Sequence, residues 1–191
     1  AKAPMVGGGL GAIVIVLIAM FFGMSPEQAM DIAQQVQQPG QQTQTQQPTT
    51  PPADDEAAQF VSVVLADTED TWRAIFSASG RTYQDPVLVL FTGSVQSACG
   101  FAGSAVGPFY CPGDNKVYLD LAFFDELSSR FGASGDFAQA YVIAHEVGHH
   151  VQNLLGILPE VSRMRQQSSQ TEANRLTVKL ELQADCFAGL W

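Results

Sequence analysis

The chain has 191 residues, with 9 Lys and Arg against 19 Asp and Glu, a formal net charge of −10 and a pI near 4.5. That length allows one domain with an appendage but not two full domains. Cations so few and so scattered argue against nucleic acid as a partner, because phosphate binding needs clustered Lys and Arg.

Residues 6–24 (VGGGLGAIVIVLIAMFFGM) carry no charge. As a helix this run extends about 28 Å, close to the ~30 Å hydrocarbon thickness of a bilayer, and predicts a transmembrane anchor. Lys2 lies before it, and Glu27 and Asp31 lie after it, which orients the N-terminus to the cytoplasm. A cleavable signal peptide is the rival reading, but FFGMSPEQA lacks an A-x-A-like cleavage site. Residues 25–55 are rich in Gln, Pro and Thr and too poor in apolar side chains to bury a core. They read as a disordered tether with an r.m.s. span of roughly 30 Å.

A folded domain is expected over residues 56–191. Phe60, Val64, Thr68, Trp72 and Phe76 recur at steps of four, the pattern of an amphipathic helix over 57–77. Segments 87–91 (VLVLF), 107–111 (GPFYC) and 116–124 (KVYLDLAFF) read as strands separated by Gly, Pro, Asp and Asn turns. Helix returns over 137–155, with Gly156 placed to stop it, then briefly after Pro159, then from Thr171 to the end. Helices segregated from a small sheet make an α+β class. Because the chain starts without Met and its last helix has no stop signal, the natural protein is expected to extend at both ends.

All 3 histidines lie in His145-Glu146-Val147-Gly148-His149-His150. Residues four apart share a helix face, so His145 and His149 can converge on one ion. Imidazole nitrogens suit Zn²⁺, and a catalytic site leaves a position for water. Glu146, one step round the helix, is placed to act as general base on that zinc-activated water. An HExxH can also arise by chance on a surface helix. Here the flanks AYVIA and VQNLL are apolar, so the face is expected to be at least partly buried, and buried His and Glu are uncommon unless paired or liganding. Gly148 inside the helix costs ~1 kcal/mol relative to Ala, which suggests a close backbone approach there. His150 points about 100° away from His149 and is not expected to be a ligand.

A third ligand must be a carboxylate or thiolate. The metzincin spacing would put Gly and His at positions occupied by Gln152 and Leu155, which excludes that class. On the last helix Glu181 and Asp185 share a face: Glu181 is the expected ligand, and Asp185 the partner of a ligand histidine. Cys186 is the competitor, rotated away from Glu181 and expected to pack. Tyr110 and Tyr118 could stabilise an oxyanion but read more naturally as strand packing. The strand Val117–Leu121 could line the cleft and pair with an extended substrate. Cys99 and Cys111 flank a Gly-rich loop and form a possible disulfide in an oxidising compartment; two buried free thiols are the alternative.

The blocks CGFAGSAVGPFYCPGDNKVYLDLAFFDEL, HEVGHHVQ and ELQADCFAG occur in that order. On them, residues 56–191 resemble the bacterial putative neutral zinc metallopeptidase family, of the YpfJ type. A single N-terminal span with a low-complexity tether is also similar to that family. The resemblance implies a gluzincin-like zincin fold, with His145, His149 and Glu181 holding one zinc ion and Glu146 as base. It also implies a domain truncated at its C-terminus, since members usually continue past the position of Trp191. The expected function is hydrolysis of peptide or protein substrates on the extracytoplasmic side of the bacterial inner membrane. Two alternatives remain: a catalytically silent zinc-binding module that recruits partners, and a zinc hydrolase of non-peptide substrates.

Overall fold

The computed structural model describes residues 55–103, 106–124 and 135–191. The expected anchor at 6–24 lies outside them, as does the tether apart from Asp55. Among the described residues no helix is long and apolar enough to cross a membrane.

Asp55 starts the domain by accepting a hydrogen bond from the Ala58 N–H, and helix α1 runs over Glu56–Ala78. Its buried stripe of Val61, Val64, Leu65, Thr68, Trp72 and Phe76 follows helical spacing. The helix closes on Gly80 at φ 69°, where the Gly80 and Arg81 N–H groups bond the Ser77 and Phe76 carbonyls. That left-handed turn favours glycine.

Strands β1 (Val87–Phe91), β4 (Phe109–Cys111) and β5 (Lys116–Asp120) form one sheet in the order β1-β5-β4. The β1–β5 pair is parallel and the β4–β5 pair antiparallel. β5 is thus bonded to β1 along its length and to β4 over Lys116–Tyr118, so over those residues it has no edge free for the extended substrate that Val117–Leu121 was expected to pair with. The strand is also shorter than expected: it ends at Asp120, and 121–124 are helical. Asp120 accepts from the Ala122 N–H, and the helical turn sends both Phe123 and Phe124 into the core, which strand alternation would prevent.

A hairpin of β2 (Ser94–Ser97) and β3 (Gly100–Gly103) was not legible in the sequence. It is stapled to the sheet at its turn, where Cys99 and Cys111 are disulfide-bonded. Nearby Asp114 accepts from the Ala98 N–H and the Tyr118 hydroxyl. A small apolar cluster of Phe91, Val95, Ala102, Cys111 and Tyr118 fills the gap between hairpin and sheet.

Helix α2 (Asp136–Leu154) crosses the domain, and Gly156 at φ 79° turns the chain into α3 (Ile157–Gln166). α3 begins before Pro159, which sits in the first turn where an N–H is dispensable. α4 (Gln170–Ala188) then returns along α2, capped by Ser169. The main core joins α1, α2, Leu119 and the Phe123–Phe124 pair. With α4 on its other side, α2 is buried almost all round from Val142 to Gln152. Helices with a small mixed sheet give the α+β architecture expected.

Candidate metal centre

The site exists because α2 and α4 approach closely. A Cβ on Gly148 would lie 2.8 Å from the Ala184 carbonyl oxygen, so only glycine allows this contact. Across it, α2 presents His145, Glu146 and His149, and α4 presents Glu181 and Asp185.

Each ring turns Nδ1 toward an oxygen: His145 to Asp185 Oδ1 at 2.8 Å, His149 to Gln152 Oε1 at 2.9 Å. A carboxylate and an amide oxygen can only accept, so each Nδ1 carries a proton, and in the neutral ring Nε2 is the atom left to bind a metal. Both Nε2 atoms face one atom. Glu181 Oε2 lies 3.2 Å from His145 Nε2 and 3.3 Å from His149 Nε2. Three such atoms so close in a dry interior need positive charge among them, either protons on the rings or a metal ion. Two ligands of a tetrahedral zinc ion lie about 3.4 Å apart, which matches both spacings. Two neutral imidazoles and a carboxylate are also a donor set that zinc accepts in peptidases. The residues present therefore fit the ion.

The titration directions agree with that charge demand. Burial lowers the His145 pKa, but Asp185 and Glu181 outweigh it and hold it at about 10. Burial likewise opposes protonation of His149, and Glu181 and Glu146 raise its pKa in spite of it. Glu181 is pushed up by burial and pulled down further by the two rings, to about 2. Asp185 is lowered by His145 and Tyr141 against its own burial. The Tyr141 hydroxyl donates to the same Asp185 oxygen that holds His145.

Glu146 differs from its neighbours. Burial raises its pKa, with His149, His145 and a hydrogen bond from the Tyr110 main chain opposing the rise. Its Oε1 is buried with no partner, as is Glu181 Oε1. Unpartnered carboxylate oxygens at the centre of a fold are costly, and they cluster where chemistry is done.

His145, His149 and Glu181 thus come together as a buried group whose ligand atoms all lie within 4.8 Å of one another, with Asp185 behind His145. His150 is turned away: its Nε2–H donates to the Gln84 carbonyl at 2.6 Å, and the Tyr110 hydroxyl lies 3.1 Å from its Nδ1. The Tyr110 hydroxyl also meets Asn115 and Asn153, and the Tyr118 hydroxyl is held by Asp114, so neither is aimed at the centre. Cys186, expected to pack, is exposed and carries a free thiol. Sequence reasoning missed Tyr141, Gln152 and the Tyr110 main chain. The only available signal was a polar Gln152 inside an apolar run.

The family model for "Putative neutral zinc metallopeptidase" matches residues 2–191. The chain is 50% identical over 192 residues to the Escherichia coli K12 protein described as "Uncharacterized protein YpfJ", covering all of this chain and 64% of that protein. It is 46% identical over 137 residues to "Uncharacterized protein Rv2575" of Mycobacterium tuberculosis H37Rv, covering 71% of this chain and 45% of that one. The chain thus spans just under two thirds of the length of YpfJ and less of Rv2575. No solved structure matches it. With the match running over nearly its whole length, the chain belongs to the putative neutral zinc metallopeptidase family.

Proposed function

We propose that this chain is the catalytic part of a zinc-dependent peptidase held on the periplasmic side of the bacterial inner membrane. One observation carries the reading: two imidazole Nε2 atoms meet one buried carboxylate oxygen at 3.2 and 3.3 Å, beside a fully buried, half-unpartnered Glu146. His145, His149 and Glu181 would hold a single zinc ion. When bound, zinc supplies the Lewis acidity that makes water a nucleophile near neutral pH.

The remaining work falls to this chain's own groups. Glu146 takes a proton from the attacking water as the water oxygen bonds to the peptide carbonyl carbon. It then gives that proton to the departing amine as the C–N bond breaks. A carboxylate whose pKa is raised by burial suits a base that must also act as an acid near neutrality. Asp185, braced by Tyr141, keeps His145 in the tautomer that leaves Nε2 free.

The membrane placement rests on residues 6–24, the charge asymmetry around them and the tether that follows. The Cys99–Cys111 disulfide supports an oxidising compartment, hence the extracytoplasmic side.

Purified protein should contain one zinc per chain by elemental analysis, and Glu146→Gln should keep it. Cleavage of an unfolded protein substrate should fall roughly 10²–10⁴-fold in that variant. Zinc-free protein would sink the metal reading, and an undiminished rate would sink the role of Glu146. A preference for small esters over peptides would redirect the substrate class. Protection of the domain from added protease in intact spheroplasts would overturn its topology.

A further inference from the structure

The two histidines are held by different chemistry. Behind His145 stands a carboxylate; behind His149 stands the neutral amide of Gln152, itself fully buried on α2. An amide can face either way, and here its direction is forced. Its nitrogen lies 2.7 Å from the Leu180 carbonyl oxygen and 3.1 Å from Gln183 Oε1. A main-chain carbonyl can only accept, so the NH₂ group must occupy that side. Oε1 is thereby turned to His149 Nδ1, which must carry a proton, so in the neutral ring Nε2 is the ligand atom facing Glu181. Leu180 directly precedes Glu181, so the same amide also pins α4 one residue from the ligand carboxylate.

We propose that Gln152 is a positioning residue: it sets the His149 tautomer and ties that ring to the helix segment bearing Glu181. The proposal rests on the zinc reading above. Glutamine is the side chain that fits both tasks, since one end must accept from His149 and the other must donate to Leu180. Glutamate at this place would keep the first bond and turn an oxygen against the Leu180 carbonyl. Methionine, of similar length, would keep neither.

The test compares zinc affinity by chelator competition in the full chain, wild type against Gln152→Met and Gln152→Glu. Imidazole NMR of the ¹⁵N-labelled, zinc-loaded proteins accompanies it. Gln152→Met should bind zinc roughly 10–100-fold more weakly. It should also lose the protected Nδ1–H signal of His149 while the His145 signal stays. Gln152→Glu should keep the His149 signal and bind zinc more weakly than wild type but more tightly than Gln152→Met. That split separates positioning from bulk packing, which would weaken both rings alike. Wild-type affinity in Gln152→Met overturns the proposal, as does loss of both ring signals together. Should Gln152→Met fail to fold, wild-type affinity in Gln152→Glu overturns it instead. If wild-type protein takes up no zinc, the metal reading falls first and this inference with it.

Discussion

Along α1 the buried side chains are aliphatic or aromatic apart from Thr68, whose hydroxyl donates to the Leu65 carbonyl of its own helix. Along α2 the buried set includes His145, Glu146, His149, His150 and Gln152. Both helices pack on the same core. α1 needs only apolar neighbours, which any well-packed surface can supply. α2 depends on named partners from elsewhere: Glu181, Asp185 and Leu180 on α4, Gln84 before β1, and Tyr110 on β4. The lesson is a division of labour, in which α1 holds the domain together and α2 spends burial on function. Glu146 and Glu181 still keep an unpartnered oxygen each, and both sit at the centre.

That division predicts that stability and zinc binding can be broken separately. The largest stability effect should come from α1. Trp72 is 3% exposed and makes edge contacts with Phe76 and, on α4, Phe187. Trp72→Ala should lower unfolding free energy by about 3–5 kcal/mol, from lost transfer energy and the cavity left behind. Denaturant titration measures the loss. The folded fraction should still bind zinc with wild-type affinity, because the rings the indole meets, Phe76 and Phe187, are not among the ligands. A parallel collapse of affinity would erase the distinction between the two helices.

Gly148→Ala is the converse. Its new methyl would meet the Ala184 main chain at 2.8–3.3 Å, and backbone cannot move aside as a flexible side chain can. The helices must separate, at a cost of about 1–3 kcal/mol for overpacking. Since Glu181 rides on α4, the separation should weaken zinc binding more than that stability change alone explains. Chelator competition on the folded variant reads the effect. Unchanged affinity would mean that the Gly148–Ala184 contact does not set the distance from rings to carboxylate.

How much of this was legible depends on whether the signal was local. The α1 stripe was readable because its burial follows from helical period alone. The convergence of His145 with His149 was readable because one helical turn separates them. Glu181 and Asp185 were nominated by their spacing within an apolar helix, and Gly148 by the helical penalty it carries. Tyr141 was not readable, since its bond runs to α4; Gln152 stands three residues from His149 on one face, but the bonds that fix its direction run to Leu180 and Gln183 on α4. The β2–β3 hairpin was missed because SVQS and GFAG carry little apolar alternation; a disulfide and Asp114 fasten it to the sheet. The turn at 121–124 was misread because paired phenylalanines also suit a strand, and only the Asp120 side chain tips the backbone into a helix.

The smallest effect should come from the start of α1, and it sharpens the comparison. α1 begins on a side-chain cap, Asp55 Oδ1 accepting from the Ala58 N–H at 3.1 Å, whereas α2 begins at Gly135 with no side-chain cap. α1 thus carries its own initiation signal, while α2 is held by the elements packed around it. Asp55→Ala should therefore cost about 1 kcal/mol, the usual value of such a cap. Asp55→Asn should recover most of it, because an amide oxygen accepts the same bond. Neither change should alter zinc affinity, since the cap bonds only within α1 and α1 supplies none of the ligands. If instead Asp55→Ala weakened zinc binding, α1 would be coupled to the centre through the core, and the independence of the two helices would have to be given up.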